Sequence, residues 1–326
     1  MNYYIFKLQF TAPAHFGASV SAVSLSGSEM TFCADRLFSA LCQAAVQRWA
    51  DGPQRLCAMA REGQLKLSDA FPWKEGVFYL PRPCLESTAV RSTDASDRKV
   101  MKKVTYLPLT RYAAYLRALA GGEPVDPKTL LVRFGEETLT TRAVVFDGQD
   151  TLPYAVGEYR FDDGCGLYFM AGLEDRSDLS MLKEYVAAVG HGGLGGKVSS
   201  GCGSFISTAI PVEEIGEQQD KALTQMLTSD NADCWISLTT SLPRDDELEK
   251  ALDGALFQLT RRAGFVQTSR LSGPSKKREQ FFLTAGSTFH NVYTGDVYDV
   301  APDRCPHPVY RYAMPVFLGV SECIRV

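Results

Sequence analysis

At 326 residues the chain has room for about two domains of roughly 150 residues each. Its 34 basic and 38 acidic side chains leave a formal charge of −4, which excludes a protein that grips nucleic acid by uniform positive charge. With 45% hydrophobic and 22% charged residues there is apolar material for packed cores, which excludes a disordered chain. No run approaches the ~18 apolar residues of a bilayer span. Met1-Asn2-Tyr3-Tyr4-Ile5-Phe6-Lys7 lacks the basic start and long apolar stretch of a secretory signal, so a cytoplasmic protein without membrane contact is expected. The nine cysteines are scattered, with no pair at Cys-x-x-Cys spacing. They predict reduced thiols, several of them buried, with no metal and no cofactor.

Residues 3–10 alternate in the manner of a strand, which Thr11-Ala12-Pro13 ends before a loop opens at His15-Phe16-Gly17. Residues 35–49 carry Phe38, Leu41, Ala45 and Trp49 at helical spacing, with Asp35 in the first turn and Asp51-Gly52-Pro53 as a stop. A strand over 77–80 and a helix over 110–119 follow, then strands over 130–134, 142–146 and 166–170. Residues 177–189 predict a helix with Leu179, Leu182, Val186 and Val189 on one face, Ser177 as N-cap and Gly190 as C′ residue. A glycine-rich loop leads to a strand over 205–212. The acidic stretch 213–220 marks the expected domain boundary. Beyond it lie a strand over 234–240 and a helix over 245–262 ending in Arg261-Arg262. Strands over 265–271 and 280–284 turn at Ser272-Gly273-Pro274-Ser275, and a last strand covers 312–320. This order fits an α+β fold of two ferredoxin-like (split βαβ) domains, 1–212 and 213–326, with insertions; the second lacks its second helix.

The glycine-rich loop runs from Gly190 to Phe205 and holds seven glycines. Gly190, Gly192 and Gly195 satisfy Gly-x-Gly-x-x-Gly literally, but a dinucleotide site needs a strand before that motif and a helix after it, and here the order is reversed. A phosphate-binding Walker loop fails as well, because Val198 stands where the magnesium-binding hydroxyl belongs. Anion binding through backbone nests at Gly192, Gly193, Gly195 and Gly196 remains, aided by Lys197, Ser199 and Ser200. A tightly packed helix-to-strand connection explains the same residues equally well.

Three stretches contain no acid: residues 98–122, 185–212 and 254–278. They supply Lys102 and Lys103, Lys197, and the group Arg270, Lys276, Lys277 and Arg278 beside one turn. A basic run is ordinarily a solvated surface. Three of them beside a glycine nest favour RNA, which needs cations for phosphates and stacking surfaces for bases. Arg261 and Arg262 are explained by a helix C-terminus and are set aside.

The motifs, in order, are His15-Phe16-Gly17, Asp35-Arg36-Leu37-Phe38-Ser39-Ala40-Leu41, Ala70-Phe71-Pro72, Tyr79-Leu80-Pro81-Arg82-Pro83, Gly166-Leu167-Tyr168-Phe169 and the glycine loop. Gly264-Phe265-Val266, Lys276-Lys277-Arg278, Ala285-Gly286-Ser287 and His307-Pro308-Val309-Tyr310-Arg311-Tyr312 follow. Together they resemble the RAMP superfamily of CRISPR proteins and, within it, the family of subunit four of Csm (type III-A) effector complexes. Val198 and Cys202 depart from the basic and aromatic residues common at those loop positions. The resemblance implies a non-catalytic subunit that caps the 5′ handle of the CRISPR RNA. It also implies that the subunit joins the large polymerase-like subunit to the backbone RAMP subunits. A hairpin within residues 133–159, containing Arg142, is implied to act as a thumb across the duplex of guide and target RNA near the guide 5′ end. Two alternatives stand beside this reading. One is a RAMP endoribonuclease that processes repeat RNA with His15 as general acid or base. The other is a protein-only scaffold docked through the helix at 35–49 and the acidic tracts.

Overall fold

The computed structural model describes residues 1–17, 25–85, 95–144, 152–229, 231–266, 273, 275–303 and 305–321. The strands are β1 (Asn2–Phe10), β2 (Leu65–Leu67), β3 (Phe71–Lys74), β4 (Val77–Pro81), β5 (Tyr106–Pro108), β6 (Gly135–Val144), β7 (Leu152–Phe161), β8 (Cys165–Leu173) and β9 (Phe205–Pro211). In the C-terminal part they are β10 (Cys234–Ser237), β11 (Leu259–Arg262), β12 (Gln280–Leu283), β13 (Thr288–Phe289), β14 (Val297–Asp299), β15 (Tyr310–Tyr312) and β16 (Phe317–Val320). The helices are α1 (Ala34–Arg48), α2 (Gly52–Arg61), α3 (Ala95–Lys103), α4 (Leu109–Leu119), α5 (Asp178–Gly192), α6 (Glu217–Leu227) and α7 (Leu248–Leu252). The fold is mixed α+β.

The main sheet has the order β5-β4-β3-β8-β1-β9, with β2 also paired to β8, and every pairing within it is antiparallel. Its centre is β8, all nine residues of which are buried, so the sequence reads as an unbroken apolar run. β1 divides its side chains by pleat. Tyr4, Phe6 and Leu8 join the core beneath α1 and α5, where Phe6 stacks on Phe169 at 4.9 Å, while Ile5 joins the core on the opposite face. That second core takes Tyr112 and Leu116 from α4, Leu223 from α6 and Ile236, Leu238 and Leu318 from the C-terminal part. The N-terminal sheet and the C-terminal part therefore share apolar surface.

The C-terminal part consists of a three-stranded sheet, β13-β10-β16, and two ribbons, β11–β12 and β14–β15. Two buried carboxylates stitch it to the N-terminal part. Asp69 accepts hydrogen bonds from the backbone N–H of Ala34 and Thr240 and from the Thr240 hydroxyl, at 2.8, 3.0 and 2.6 Å. Asp35, in the first turn of α1, takes a two-pronged bond from Arg262 on β11, at 3.0 and 2.6 Å.

Several expected elements differ. Residues 245–262 are not one helix: α7 covers only Leu248–Leu252, and Gly254 (φ 65°) turns the chain out to run extended as β11. Arg262 therefore sits on a strand and not at a helix end. No strand covers residues 130–134, because the Asp126 side chain accepts from the Lys128 N–H and winds a 3-10 turn over Pro127–Thr129. α5 continues past Gly190 to Gly192 and stops at Gly193 (φ 85°). Ser177 makes no side-chain cap; its N–H donates instead to Asp175 at 2.8 Å. The acidic stretch 213–220 contains a 3-10 turn and the start of α6, held by Gln219, which accepts from the Phe78 N–H at 2.9 Å and donates to the Gly76 carbonyl at 3.0 Å. The last strand is interrupted between β15 and β16. Among the described residues seven cysteines are free thiols, but Cys234 is disulfide-bonded, so the expectation of reduced thiols fails at that position.

Two predictions follow from the buried carboxylates. Arg262→Leu leaves Asp35 without its two-pronged partner in a nearly enclosed site and is expected to cost about 3–5 kcal/mol in denaturant unfolding. Burial raises the Asp69 carboxyl from 3.8 to about 6, so the native state holds a proton that the unfolded chain releases between pH 4 and 6. Its stabilising contribution is full below pH 4 and is lost as pH rises through 6. Asp69→Asn is expected to flatten the pH dependence of stability in that window, measured by denaturation at pH 4, 5 and 6.

Candidate nucleic-acid interface

The loop after α5 folds back over the chain that follows β1. Gly196 N–H donates to the His15 carbonyl at 2.8 Å, Gly203 N–H to the Pro13 carbonyl at 2.8 Å, and Leu194 N–H to the Gly203 carbonyl at 2.9 Å. Two glycines are demanded by this packing. A Cβ on Gly195 (φ 107°) would lie 2.6 Å from the His15 carbonyl oxygen, and one on Gly203 (φ 81°) 2.1 Å from that of Leu194. Lys197 is left-handed (φ 59°) and leads into a 3-10 turn over Val198–Ser200. The N–H groups of Ser200, Gly201 and Cys202 return to carbonyls of Lys197 and Val198, so the later half of the loop is closed on itself. Gly192, Ser199 and Ser200 are exposed.

His15 is buried, 4% exposed. Its Nδ1 lies 2.6 Å from the Gly157 carbonyl, which only accepts, so Nδ1 carries a proton and donates it there. A cavity of about 550 Å³ opens between α1, the glycine loop and the C-terminal ribbons, lined among others by His15, Gly195, Arg36, Lys277 and Arg311. Four cations gather in this basin around one carboxylate. Burial pushes the Asp35 carboxyl up, but Arg262, with Arg311 and Arg36 behind it, outweighs burial and holds it below the usual carboxylate range. Burial lowers Lys277, with Asp35 opposing. Burial and repulsion from Arg262 lower Arg36. Arg36 Nη2 donates to the Gly17 carbonyl at 3.2 Å, its guanidinium lies 5.7 Å from the Phe16 ring centre, and its buried Nη1 has no hydrogen-bond partner. Among the described residues this buried donor therefore has no acceptor.

The hairpin β6–β7 is latched to the same loop. Lys197 Nζ lies 4.7 Å from the Tyr154 ring centre and 3.4 Å from its hydroxyl. Arg142 pairs with Glu158 at 2.5 Å and reaches the Cys202 sulfur at 3.4 Å, while the Cys202 thiol donates to Glu158 at 3.6 Å. Burial raises the Glu158 carboxyl, but hydrogen bonds from Arg142, Thr140 and Cys202 bring it below its ordinary value.

The structure thus brings together His15, Gly192, Gly193, Gly195, Gly196 and Lys277 at one basin. Lys197 leans on the hairpin. Arg142 is committed to Glu158. Lys276 is exposed opposite Phe265, and Arg278 is exposed but donates to the Asp299 carbonyl at 2.9 Å. Lys102 and Lys103 are exposed in the last turn of α3; Lys103 lines a separate cleft with Arg133 and Tyr159 at the base of the hairpin. Arg270 lies outside the described residues. Sequence reasoning missed Arg36, Arg262 and Arg311. Two of them stood inside quoted motifs, Asp35-Arg36 and Tyr310-Arg311-Tyr312, and Arg262 was misassigned to a helix end. Among the described residues no group of three or more His, Cys, Asp or Glu side chains is placed to hold a metal ion, and no helix is long and apolar enough to cross a membrane.

A chain of the Csm3-Csm4 subcomplex of a type III-A CRISPR-Cas interference complex has this fold, with TM-score 0.62, 16% identity, and coverage of 98% of this chain and 99% of that one. A chain of a Csm1-Csm4 cassette in complex with cA4 matches with TM-score 0.61, 17% identity and 98% coverage of both. These matches define the class of fold to which the chain belongs. The family model of the CRISPR Csm4 C-terminal domain matches residues 230–320. Csm4 of Mycobacterium tuberculosis (strain CDC 1551 / Oshkosh) is 33% identical over 328 residues, covering 99% of each chain. Csm4 of Streptococcus thermophilus is 31% identical, covering 98% of this chain and 100% of the relative. The chain belongs to the Csm4 family.

Glu158→Gln removes the charge that neutralises Arg142 and is expected to destabilise the protein by about 2 kcal/mol. Gly195→Ala, strained at positive φ and pressed against His15, is expected to cost about 1–3 kcal/mol. Both are read from the midpoint of thermal or urea unfolding.

Proposed function

We propose that the chain is a non-catalytic RNA-binding subunit of a cytoplasmic type III-A CRISPR (Csm) effector complex. In this reading the 5′ handle of the CRISPR RNA lies in the basin between an N-terminal domain (1–212) and a C-terminal domain (213–326). The subunit links the large polymerase-like subunit to the backbone RAMP subunits, and the β6–β7 hairpin faces the target RNA near the guide 5′ end. The observation that carries the reading is the basin itself. Arg36, Arg262, Arg311 and Lys277 surround a single carboxylate beside a glycine loop whose backbone stands open at Gly192 and Ser199. Phosphate contacts need that arrangement: cations for charge, and small residues for close approach. The overall charge of −4 does not oppose it, because the cations are focused in one concavity. Solved relatives of the same fold occur in complexes with Csm1 and with Csm3, which supports the linking role.

Binding without cleavage is favoured by the state of His15. Its ring is fixed by the Gly157 carbonyl and packed so closely on Gly196 that a Cβ there would lie 2.7 Å from it. A general acid or base must reach the proton it moves, and this ring, at 4% exposure, presents little of itself to the basin it lines.

Purified protein is expected to bind handle RNA with a strong salt dependence. Lys197→Ala and Lys276→Ala should each weaken binding and flatten the slope of log affinity against log salt by about one unit. Unchanged affinity and slope in both would sink the proposal. Metal-free cleavage of repeat RNA that is lost in His15→Ala would establish the endoribonuclease instead. A complex that assembles and keeps its guide RNA after Lys197→Glu with Lys276→Glu would establish a protein-only scaffold.

A further inference from the structure

Beyond the basin a second cavity of about 690 Å³ continues along α1 toward α2. Gln47, Lys277 and Tyr310 line both spaces, so the two form one trough with a change of character along its length. The basin end is cationic. The far end is apolar, walled by Val46, Pro308 and Phe265, with His307 at the rim. Phe265 is 48% exposed and Val46 50% exposed, an unusual exposure for residues at the mouth of a polar site.

The aromatic ring is held in place by its backbone. Gly264 turns the chain at φ 138°, and Phe265 then pairs in a β-bridge with Lys276. Val266 N–H donates to the Ser275 carbonyl at 2.8 Å and Lys277 N–H to that of Gly264 at 2.9 Å. This ladder carries an exposed aromatic on one strand and two lysines on the other. Single-stranded nucleic acid is bound by such a pairing: cations track the backbone while bases splay onto aromatic faces. None of the described residues lining the groove is acidic. A strand whose phosphates occupy the basin would enter the groove past Lys277 without meeting like charge.

We infer that this apolar groove is a nucleobase subsite, in which one unpaired base of an RNA bound in the basin stacks on Phe265. The inference rests on the proposed RNA-binding role and adds to it a site that reads a base, separate from the cations that hold phosphates. Gln47, exposed on α1 at the junction, is placed to meet the polar edge of that base. Because Phe265 is half exposed, its replacement leaves the cores intact.

The test uses the full-length chain and handle RNAs carrying a single 2-aminopurine, moved through the unpaired positions one at a time. One position is expected to be quenched on binding. Phe265→Ala should relieve that quenching and weaken binding about tenfold with no change in the salt slope, because no phosphate contact is lost. Phe265→Trp should restore both. If the wild-type chain binds RNA with its salt dependence but Phe265→Ala changes neither quenching nor affinity, the subsite is refuted and the basin stands. If no salt-dependent RNA binding is seen, the proposed function itself fails. If Phe265→Ala binds RNA normally but no longer associates with a purified partner subunit, the groove is a protein-docking surface and the inference is overturned.

Discussion

The ion pair between Asp35 and Arg262 is the contact on which the rest of the arrangement depends. A carboxylate in the first turn of a helix is ordinary, and a dipole contribution of a few tenths of a kcal/mol would explain it. Here both partners are nearly enclosed, with side-chain exposures of 10% and 8%, and Arg311 approaches the same carboxylate at 4.0 Å. Removing charges from water is costly, so such a pair contributes less to stability than to geometry. It fixes where the β11–β12 ribbon meets α1, and it leaves the basin with more positive than negative charge. Neutralisation is incomplete by construction: one acid serves a cluster of three guanidinium groups and a lysine.

The main sheet supplies the rigidity that this cluster needs. β1 is covered on both faces and paired on both edges, and its end delivers His15 to the glycine loop. The loop in turn is clasped by the distal half of the β6–β7 hairpin, through Tyr154, Arg142 and Glu158. Cys202, where an exposed aromatic would offer stacking, is buried at 2% and bonded to Glu158 and Arg142. Among the described residues beside the trough, Phe265 presents an exposed ring and Tyr310 a partly exposed one.

Much of this was legible in the sequence where local pattern and tertiary role agree. α1, α5 and β9 follow from periodicity because their buried faces repeat at the period of the element, and β8 follows from an unbroken apolar run. The glycine loop follows from composition, because close backbone approach leaves no alternative residue. The failures have tertiary causes. The helix expected over 245–262 had acids before and arginines after, but those arginines belong to a strand whose register is set by β12 and whose last side chain is drawn to Asp35 across 227 positions of sequence. β7 escaped notice because Pro153 and Gly157 interrupt its pattern, yet its pairing with β6 makes it a strand. Arg36 and Arg311 stood within recognised motifs, but nothing local shows that they converge. Arg142, expected among the RNA contacts, pairs with Glu158 sixteen residues away, a partner that nothing local in the sequence shows.

Lys197 has one positive charge and two claims on it. At rest it lies over Tyr154 and bonds the hairpin; an anion on the loop would draw it the other way. In the proposed reading an RNA phosphate on the loop competes with Tyr154 for this one cation, so the Lys197–hairpin contact and phosphate binding are linked, each weakening the other by the same factor. On that reading, a protein that drew Tyr154 away from Lys197 would free the lysine's charge for an RNA phosphate without touching the loop.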